Sequence, residues 1–152
     1  MTDDPREIVV SRVYDAPREL VFQAWTDRDR IGRWWGPNGF TTTTHEMDVR
    51  PGGVWRFMMH GPDGTDYPNR VRYSEVSPPE RLVYVHDSDV DDDPREFHTT
   101  VTFEERGGKT SLTMRTRFAS AEMRDYVVRE IGAIDGANQT LGRLAGYLGG
   151  NA

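Results

Sequence analysis

Four histidines are the side chains best suited to acid–base or metal chemistry near neutral pH. They are His45, His60, His86 and His98, and no two of them stand at the spacing that metal ligands use on a helix. The chain has no cysteine, which excludes thiol nucleophiles and thiolate ligands. It also has no phosphate loop, dinucleotide fingerprint or Gly-x-Ser-x-Gly motif. We therefore expect no metal and no cofactor, and the sequence assigns no catalytic residue.

An acidic stretch carries five aspartates at residues 87, 89, 91, 92 and 93. Carboxylates at alternate positions are typical of a calcium-binding loop, but the glycine and the closing glutamate of that loop are missing. The sequence therefore predicts a solvated, flexible turn rather than a cation site.

Three of the four tryptophans lie close together in the sequence, at Trp34, Trp35 and Trp55. A tryptophan needs an apolar wall and a partner for its N–H group. The adjacent pair precedes a Gly36-Pro37 break, which predicts that one tryptophan packs in the core while Trp35 lies at the rim of a binding pocket.

Composition excludes several classes of protein. At 152 residues the chain fits one domain, spanning 1–152, with a core of useful size. The net charge is −6 and the basic residues are dispersed, so a nucleic-acid-binding face is not expected. No apolar run approaches a membrane span, and the acidic start lacks the apolar stretch of a signal peptide. We expect a cytoplasmic protein.

Hydrophobic periodicity predicts the elements that position these residues. Residues 7–14 alternate as a first strand, followed by a short helix with Leu20, Val21, Ala24 and Trp25 on one face. A second short helix is predicted to end at Gly36-Pro37. Turn signals then separate six predicted antiparallel strands, near residues 40–49, 54–60, 66–77, 81–87, 96–105 and 109–118.

The last segment returns to helical spacing over residues 120–148, which predicts one long amphipathic helix with Ser120 as its N-cap. Gly132, Gly136 and Gly142 are expected to permit a bend or a close backbone approach in this helix. Its apolar face must be buried, and the concave face of the sheet is the only sufficient partner. The fold class is therefore α+β, a curved antiparallel sheet wrapped around a long C-terminal helix. A twisted sheet seldom closes completely around one helix, so we expect an internal cavity between them.

The order and spacing of the motifs resemble a known family. The resemblance is carried by residues 10–22, 24–27, 34–37, 48–57, 61–64, 78–83 and 100–103. They are similar to the branch of the START-related, birch-pollen-allergen-like superfamily named after the activator of the heat-shock-protein-90 ATPase. The resemblance implies a helix-grip fold with a hydrophobic cavity and supplies no universal catalytic residue.

Three functions follow as alternatives. The first, which we favour, is binding of an apolar or amphipathic small molecule in the cavity. The second is a cyclase or hydrolase-type enzyme that uses His86, His60, Glu75 or Tyr84 as an acid–base residue. The third, a chaperone-interacting stress-response module, rests on the family name, and the separate N-terminal domain of the eukaryotic co-chaperone has no counterpart in this sequence.

The predicted ligand-binding residues come from the inward face of the strands and from the apolar stripe of the last helix. Polar groups at the ends of side chains on an apolar wall orient the ligand in typical pockets. Tyr73, Tyr84 and His86 are therefore the most informative residues of the set. A homodimer is possible, since no feature of the sequence forces or forbids one. The predicted set is Trp35, Trp55, Phe57, Met59, Tyr73, Tyr84, His86, Phe103, Met123, Val127 and Ile131.

Overall fold

The computed structural model describes residues 4–150, which form a curved sheet flanked by helices. The strands are β1 (Glu7–Tyr14), β2 (Thr41–Met47), β3 (Val54–His60), β4 (Asp66–Ser77), β5 (Arg81–Asp87), β6 (Phe97–Arg106) and β7 (Lys109–Arg117). The helices are α1 (Arg18–Thr26), α2 (Arg28–Ile31), α3 (Ala121–Tyr126), a π-helical turn (Val127–Ile131) and α4 (Ala133–Gly150). The strand order is β1-β7-β6-β5-β4-β3-β2.

The predicted helix-grip architecture is confirmed. Strands β2 to β7 form an antiparallel meander, and β1 closes its far edge by pairing with β7. Alternation sorts the side chains as expected: Trp55 and Phe57 on β3 are each 1% exposed, while Arg56 between them forms an ion pair with Asp89 at 3.1 Å. Side chains of one parity therefore build the core, and those of the other parity face outward.

The second short helix is shorter than predicted. Asp27 caps it by accepting a hydrogen bond from the Asp29 amide at 2.8 Å, and the helix ends at Ile31. Both tryptophans of the pair therefore follow the helix in a turn, where Gly36 adopts a φ of 104° that few other residues tolerate. The prediction that this helix continues to the Gly36-Pro37 break is wrong.

The long C-terminal helix is confirmed as α4, and a bend occurs at Gly132, one of the three glycines where it was expected. The prediction of one continuous helix over residues 120–148 is wrong. Ser120 does cap its start, since the hydroxyl accepts a hydrogen bond from the Met123 amide at 3.1 Å. The helix then widens into the π-helical turn and is interrupted at Gly132, whose φ of 72° lies in the left-handed region. A glycine adopts this conformation at no steric cost, which lets α4 start in a new direction.

Helix α4 is anchored to the sheet by its second half. Leu141, Leu144 and Leu148 are almost fully buried, and the Tyr14 hydroxyl donates to the Leu141 carbonyl at 2.9 Å. Within residues 4–150, none of the helices combines the length and the apolar character that crossing a membrane would require.

The break at Gly132 predicts opposite effects for two matched substitutions. Gly132→Ala should lower the free energy of unfolding by about 1 kcal/mol, because alanine is strained at a positive φ. Gly146→Ala lies in the exposed middle of α4 and should raise it by about 1 kcal/mol. Urea unfolding measures both values, and equal stabilisation by the two substitutions would contradict the break.

Candidate functional site

A cavity of about 610 Å³ lies between the concave face of the sheet and the C-terminal helices. Its walls come from β1, β3 to β7, the segment after α2, the π-helical turn and α4. Most of the lining surface is apolar. The polar side chains lie mainly on the sheet, and Ser88, Arg95 and Thr140 join them from the loop after β5 and from α4. The lining comprises Ile8, Trp35, Gly36, Pro37, Phe40, Met59, Tyr67, Pro68, Asn69, Tyr84, His86, Asp87, Ser88, Arg95, Phe97, Thr99, Met114, Thr116, Phe118, Val127, Ile131, Ala133, Ala137 and Thr140.

The size of the cavity follows from the residues of α4. Ala133, Ala137 and Thr140 recur at helical spacing and line the cavity with small side chains. In the next turns the same helix carries Leu141 and Leu144, which fill the space completely and are at most 1% exposed. Space is therefore left only where α4 carries small residues.

The predicted site residues divide into two groups. Trp35, Met59, Tyr84, His86, Val127 and Ile131 line the cavity. The others do not line it, because Trp55, Phe57, Tyr73 and Phe103 are buried in the core and Met123 packs against the core from α3.

Trp35 lies between the aromatic core and the cavity. Its ring meets those of Trp25, Trp34 and Trp55 edge to face, with centroids 5.5, 5.6 and 5.1 Å apart. With 7% of its surface exposed it is part of the wall, so the predicted position at the rim is wrong. Trp34 is fully buried and its indole donates to the Ala24 carbonyl at 3.1 Å, which confirms that one tryptophan packs in the core.

The segment that carries Trp35 is fastened to α4 by side chains of that helix. One Nη atom of Arg143 lies within hydrogen-bond distance of the carbonyls of Trp35, Gly36 and Pro37, the shortest contact being 2.9 Å. The Gln139 side chain accepts from the Asn38 amide at 3.1 Å. This side of the cavity is thereby fixed to α4.

A polar row crosses the floor of the cavity. Tyr84 of β5 pairs in register with Thr99 of β6, which pairs with Thr116 of β7. The two threonine hydroxyls lie 3.5 Å apart. Burial raises the pKa of the Tyr84 hydroxyl, so it stays protonated and can donate.

His86 is the one histidine of the four that lines the cavity. Its Nε2 lies 2.8 Å from Oδ1 of Asn69, and the Phe97 ring packs 4.7 Å from its own, centroid to centroid. Burial lowers the pKa of His86 to about 4, although the carboxylates of Asp87 and Asp93 act in the opposite direction. The imidazole is therefore neutral at physiological pH.

The other predicted acid–base candidates lie outside the cavity. His60 bridges Asp66 and Thr43 on partly exposed surface, with both contacts at 2.8 Å. Glu75 accepts from Ser77 and forms an ion pair with Arg81. In the part of the chain that the structure describes, no group of three or more histidine, aspartate or glutamate side chains is arranged to hold a metal ion.

The acidic stretch is not simply a solvated turn. The Asp87 carboxylate is fully buried and accepts three hydrogen bonds from Arg70, two from Nε and the shortest, at 2.8 Å, from Nη2. Arg72 lies 3.2 Å away. Arg70 also reaches Asp91 at 2.9 Å. These arginines on β4 tie the loop down beside the cavity, because a buried carboxylate must be paired.

Sequence reasoning missed several residues of the lining, including Asn69, Phe97, Thr99, Thr116 and Phe118. Alternation contained the signal for four of them. Asn69 has the same parity as the inward-facing Val71, Phe97 and Thr99 have the same parity as Val101, and Thr116 has the same parity as Met114. Three of the four are polar, and the strand faces were assigned from apolar residues alone.

The burial of His86 predicts a specific dependence of stability on pH. The folded state binds the proton with a pKa of about 4 and the unfolded state near 6.5, so stability is fully present above pH 6.5 and is lost as pH falls toward 4. The loss is about 3 kcal/mol. Urea unfolding between pH 6.5 and 4 should show this loss of stability in the wild type and not in His86→Gln. The same dependence of the free energy of unfolding on pH in both proteins would contradict the prediction.

Comparisons with known proteins show which family has this sequence pattern and which solved structures share the fold. The model of the family described as activator of Hsp90 ATPase homolog 1-like protein matches residues 15–149. A protein of Chromobacterium violaceum with a solved structure is 27% identical, with 94% of this chain and 96% of the other covered and a TM-score of 0.81. A protein of Mycobacterium smegmatis with a solved structure is 26% identical, with 98% of this chain and 94% of the other covered and a TM-score of 0.88.

The AHSA1 protein of Silicibacter pomeroyi is 22% identical, with 96% of this chain and 99% of the other covered and a TM-score of 0.79, a likeness that shows the fold alone. No curated protein matches the sequence. Since the family model spans nearly the whole chain, this protein belongs to the activator of Hsp90 ATPase homolog 1-like family, a branch of the START-related, birch-pollen-allergen-like superfamily.

Proposed function

We propose that this protein binds an apolar or amphipathic small molecule in the cavity between the sheet and α4. The observation that carries the proposal is a cavity of about 610 Å³, within the usual range for small-molecule sites, whose lining is mainly apolar. A few polar groups converge on it from the sheet, in the pattern that fixes the orientation of a ligand. The fold of the family supports the same conclusion, since such folds commonly bind hydrophobic ligands.

Binding is favoured over catalysis because of the chemistry of the polar groups. An efficient general base has a pKa near the working pH, whereas that of His86 is lowered to about 4. Tyr84 is held protonated by burial, so it is a donor and not a base near neutral pH.

A cyclase or hydrolase-type activity is the second candidate, supported by the position of His86 on the cavity wall. It requires a substrate that supplies a proton within reach of the imidazole. A product formed by the wild type and not by His86→Phe would favour this candidate over simple binding.

Filling the cavity tests the binding function. Ala137 lines the cavity from α4, so Ala137→Phe places an aromatic ring in the space of the ligand. We expect it to weaken binding of the apolar dye phenylnaphthylamine by about tenfold or more, which corresponds to about 1.4 kcal/mol. Fluorescence titration measures the affinity.

The matched control for this substitution is the next residue of the helix. Asn138→Phe adds the same ring on the exposed side of α4 and should leave the affinity for the dye nearly unchanged. Equal loss in both variants would point to a general effect on the helix, and no loss in Ala137→Phe would place the dye elsewhere. Either result would overturn the proposed site.

A further inference from the structure

We propose that the cavity selects neutral, largely apolar molecules that carry a hydroxyl group, and that this hydroxyl donates a hydrogen bond to Nδ1 of His86. The inference rests on the proposed binding function and narrows its ligand class. It also assigns Asn69 a role as the residue that positions the imidazole.

The first step is the orientation of the Asn69 amide. Its Nδ2 atom donates to the Tyr67 carbonyl at 2.9 Å, and a backbone carbonyl can only accept. The amide oxygen is therefore the atom that faces His86, at 2.8 Å from Nε2. Because this oxygen can also only accept, the proton of the neutral imidazole must be on Nε2.

The second step is the state of the other ring nitrogen. With the proton on Nε2, Nδ1 carries a lone pair and is a hydrogen-bond acceptor. No residue described forms a hydrogen bond with Nδ1, and Nδ1 is not among the fully enclosed unpaired atoms, which are Nε1 of Trp25 and Nε of Arg72. Nδ1 is therefore accessible, and because His86 is otherwise buried and lines the cavity, we assign this accessible acceptor to the cavity.

The third step is the kind of group that can satisfy the acceptor. The neighbouring rings of Phe57 and Phe97, at 5.7 and 4.7 Å, hold the imidazole and have no donor to offer. The carboxylates of Asp87 and Asp93 act on the imidazole, but Asp87 is paired with Arg70 and Arg72, and the Arg95 side chain also lines the cavity. Charge therefore does not decide the class of ligand, and hydrogen-bond chemistry does. A carboxylate ligand would set its lone pairs against that of Nδ1, whereas a neutral hydroxyl supplies the missing proton.

Three probes of one shape separate this hydrogen bond from apolar binding. We would measure the affinities of biphenyl, para-methoxybiphenyl and para-phenylphenol for the wild-type protein by competition with phenylnaphthylamine. Para-phenylphenol has a donor, its methyl ether has only an acceptor, and biphenyl has neither. We expect para-phenylphenol to bind about tenfold more tightly than the methyl ether, the upper end for one neutral hydrogen bond.

Substitutions assign the preference to His86. His86→Phe should reduce the ratio of the two affinities to about one while biphenyl still binds. If the unpaired Asn69 oxygen destabilises this variant, the double variant His86→Phe/Asn69→Leu removes both partners and gives the same readout. His98→Phe is the matched control, because His98 is on β6, half exposed and absent from the cavity lining, and it should keep the wild-type ratio.

Nitrogen-15 NMR of the imidazole gives an independent readout of the positioning role of Asn69. The wild type should show the Nε2–H form, and para-phenylphenol should shift the Nδ1 resonance without moving the proton. In Asn69→Leu we expect a mixture of the two neutral forms and a reduced preference for the phenol, which a merely structural role of Asn69 would not produce.

The outcomes separate the inference from the function on which it rests. Failure of all three probes to bind in the cavity would overturn the proposed function. Binding of biphenyl without preference for the phenol would leave that function in place and overturn the inference. A preference that persists in His86→Phe, or a wild-type imidazole with its proton on Nδ1, would also overturn the inference.

Discussion

The structure depends on aromatic packing at one end of the concave sheet face. Trp25 and Trp35 contact each other and hold the ends of α1 and α2 against the sheet, where Trp55 and Phe57 stack with centroids 3.8 Å apart. Large rings in edge-to-face and stacked contact fill this end of the sheet with almost no residual space. The cavity therefore lies on the other side of Trp35, beneath the small residues of α4.

The stability of the fold does not explain why polar side chains line the floor of the cavity. Burying an imidazole in an apolar wall costs free energy, and apolar side chains of similar size would remove that cost. Asn69 satisfies one nitrogen of His86, and the proposed ligand hydroxyl would satisfy the other. A few polar groups on an apolar wall are typical of small-molecule sites, where they fix the orientation of the ligand.

Membership of the family determines the fold of this protein but leaves its function largely open. The matched structures share the path of the chain at identities of 22–27%, so their cavity walls can differ greatly in size and polarity. In this chain two local features define the cavity: the alanines early in α4 and the pairing of His86 with Asn69. The proposed function rests on these residues rather than on the fold that carries them.

The sequence by itself determined the order of the elements, the strands and the inward faces, because alternation and turn residues act locally. The Ser120 cap and the core role of Trp34 were likewise predictable. The sequence offered Gly132, Gly136 and Gly142 as places for a bend, and only the tertiary structure decided that the helix is interrupted at Gly132. It also decided that Trp35 forms part of the cavity wall and does not lie at its rim. It alone brought Asn69 to His86 and Arg70 to Asp87, since both contacts join neighbouring strands at a register that no sequence pattern specifies. The extent of the cavity was equally hidden, because empty space depends on how all of the side chains pack together.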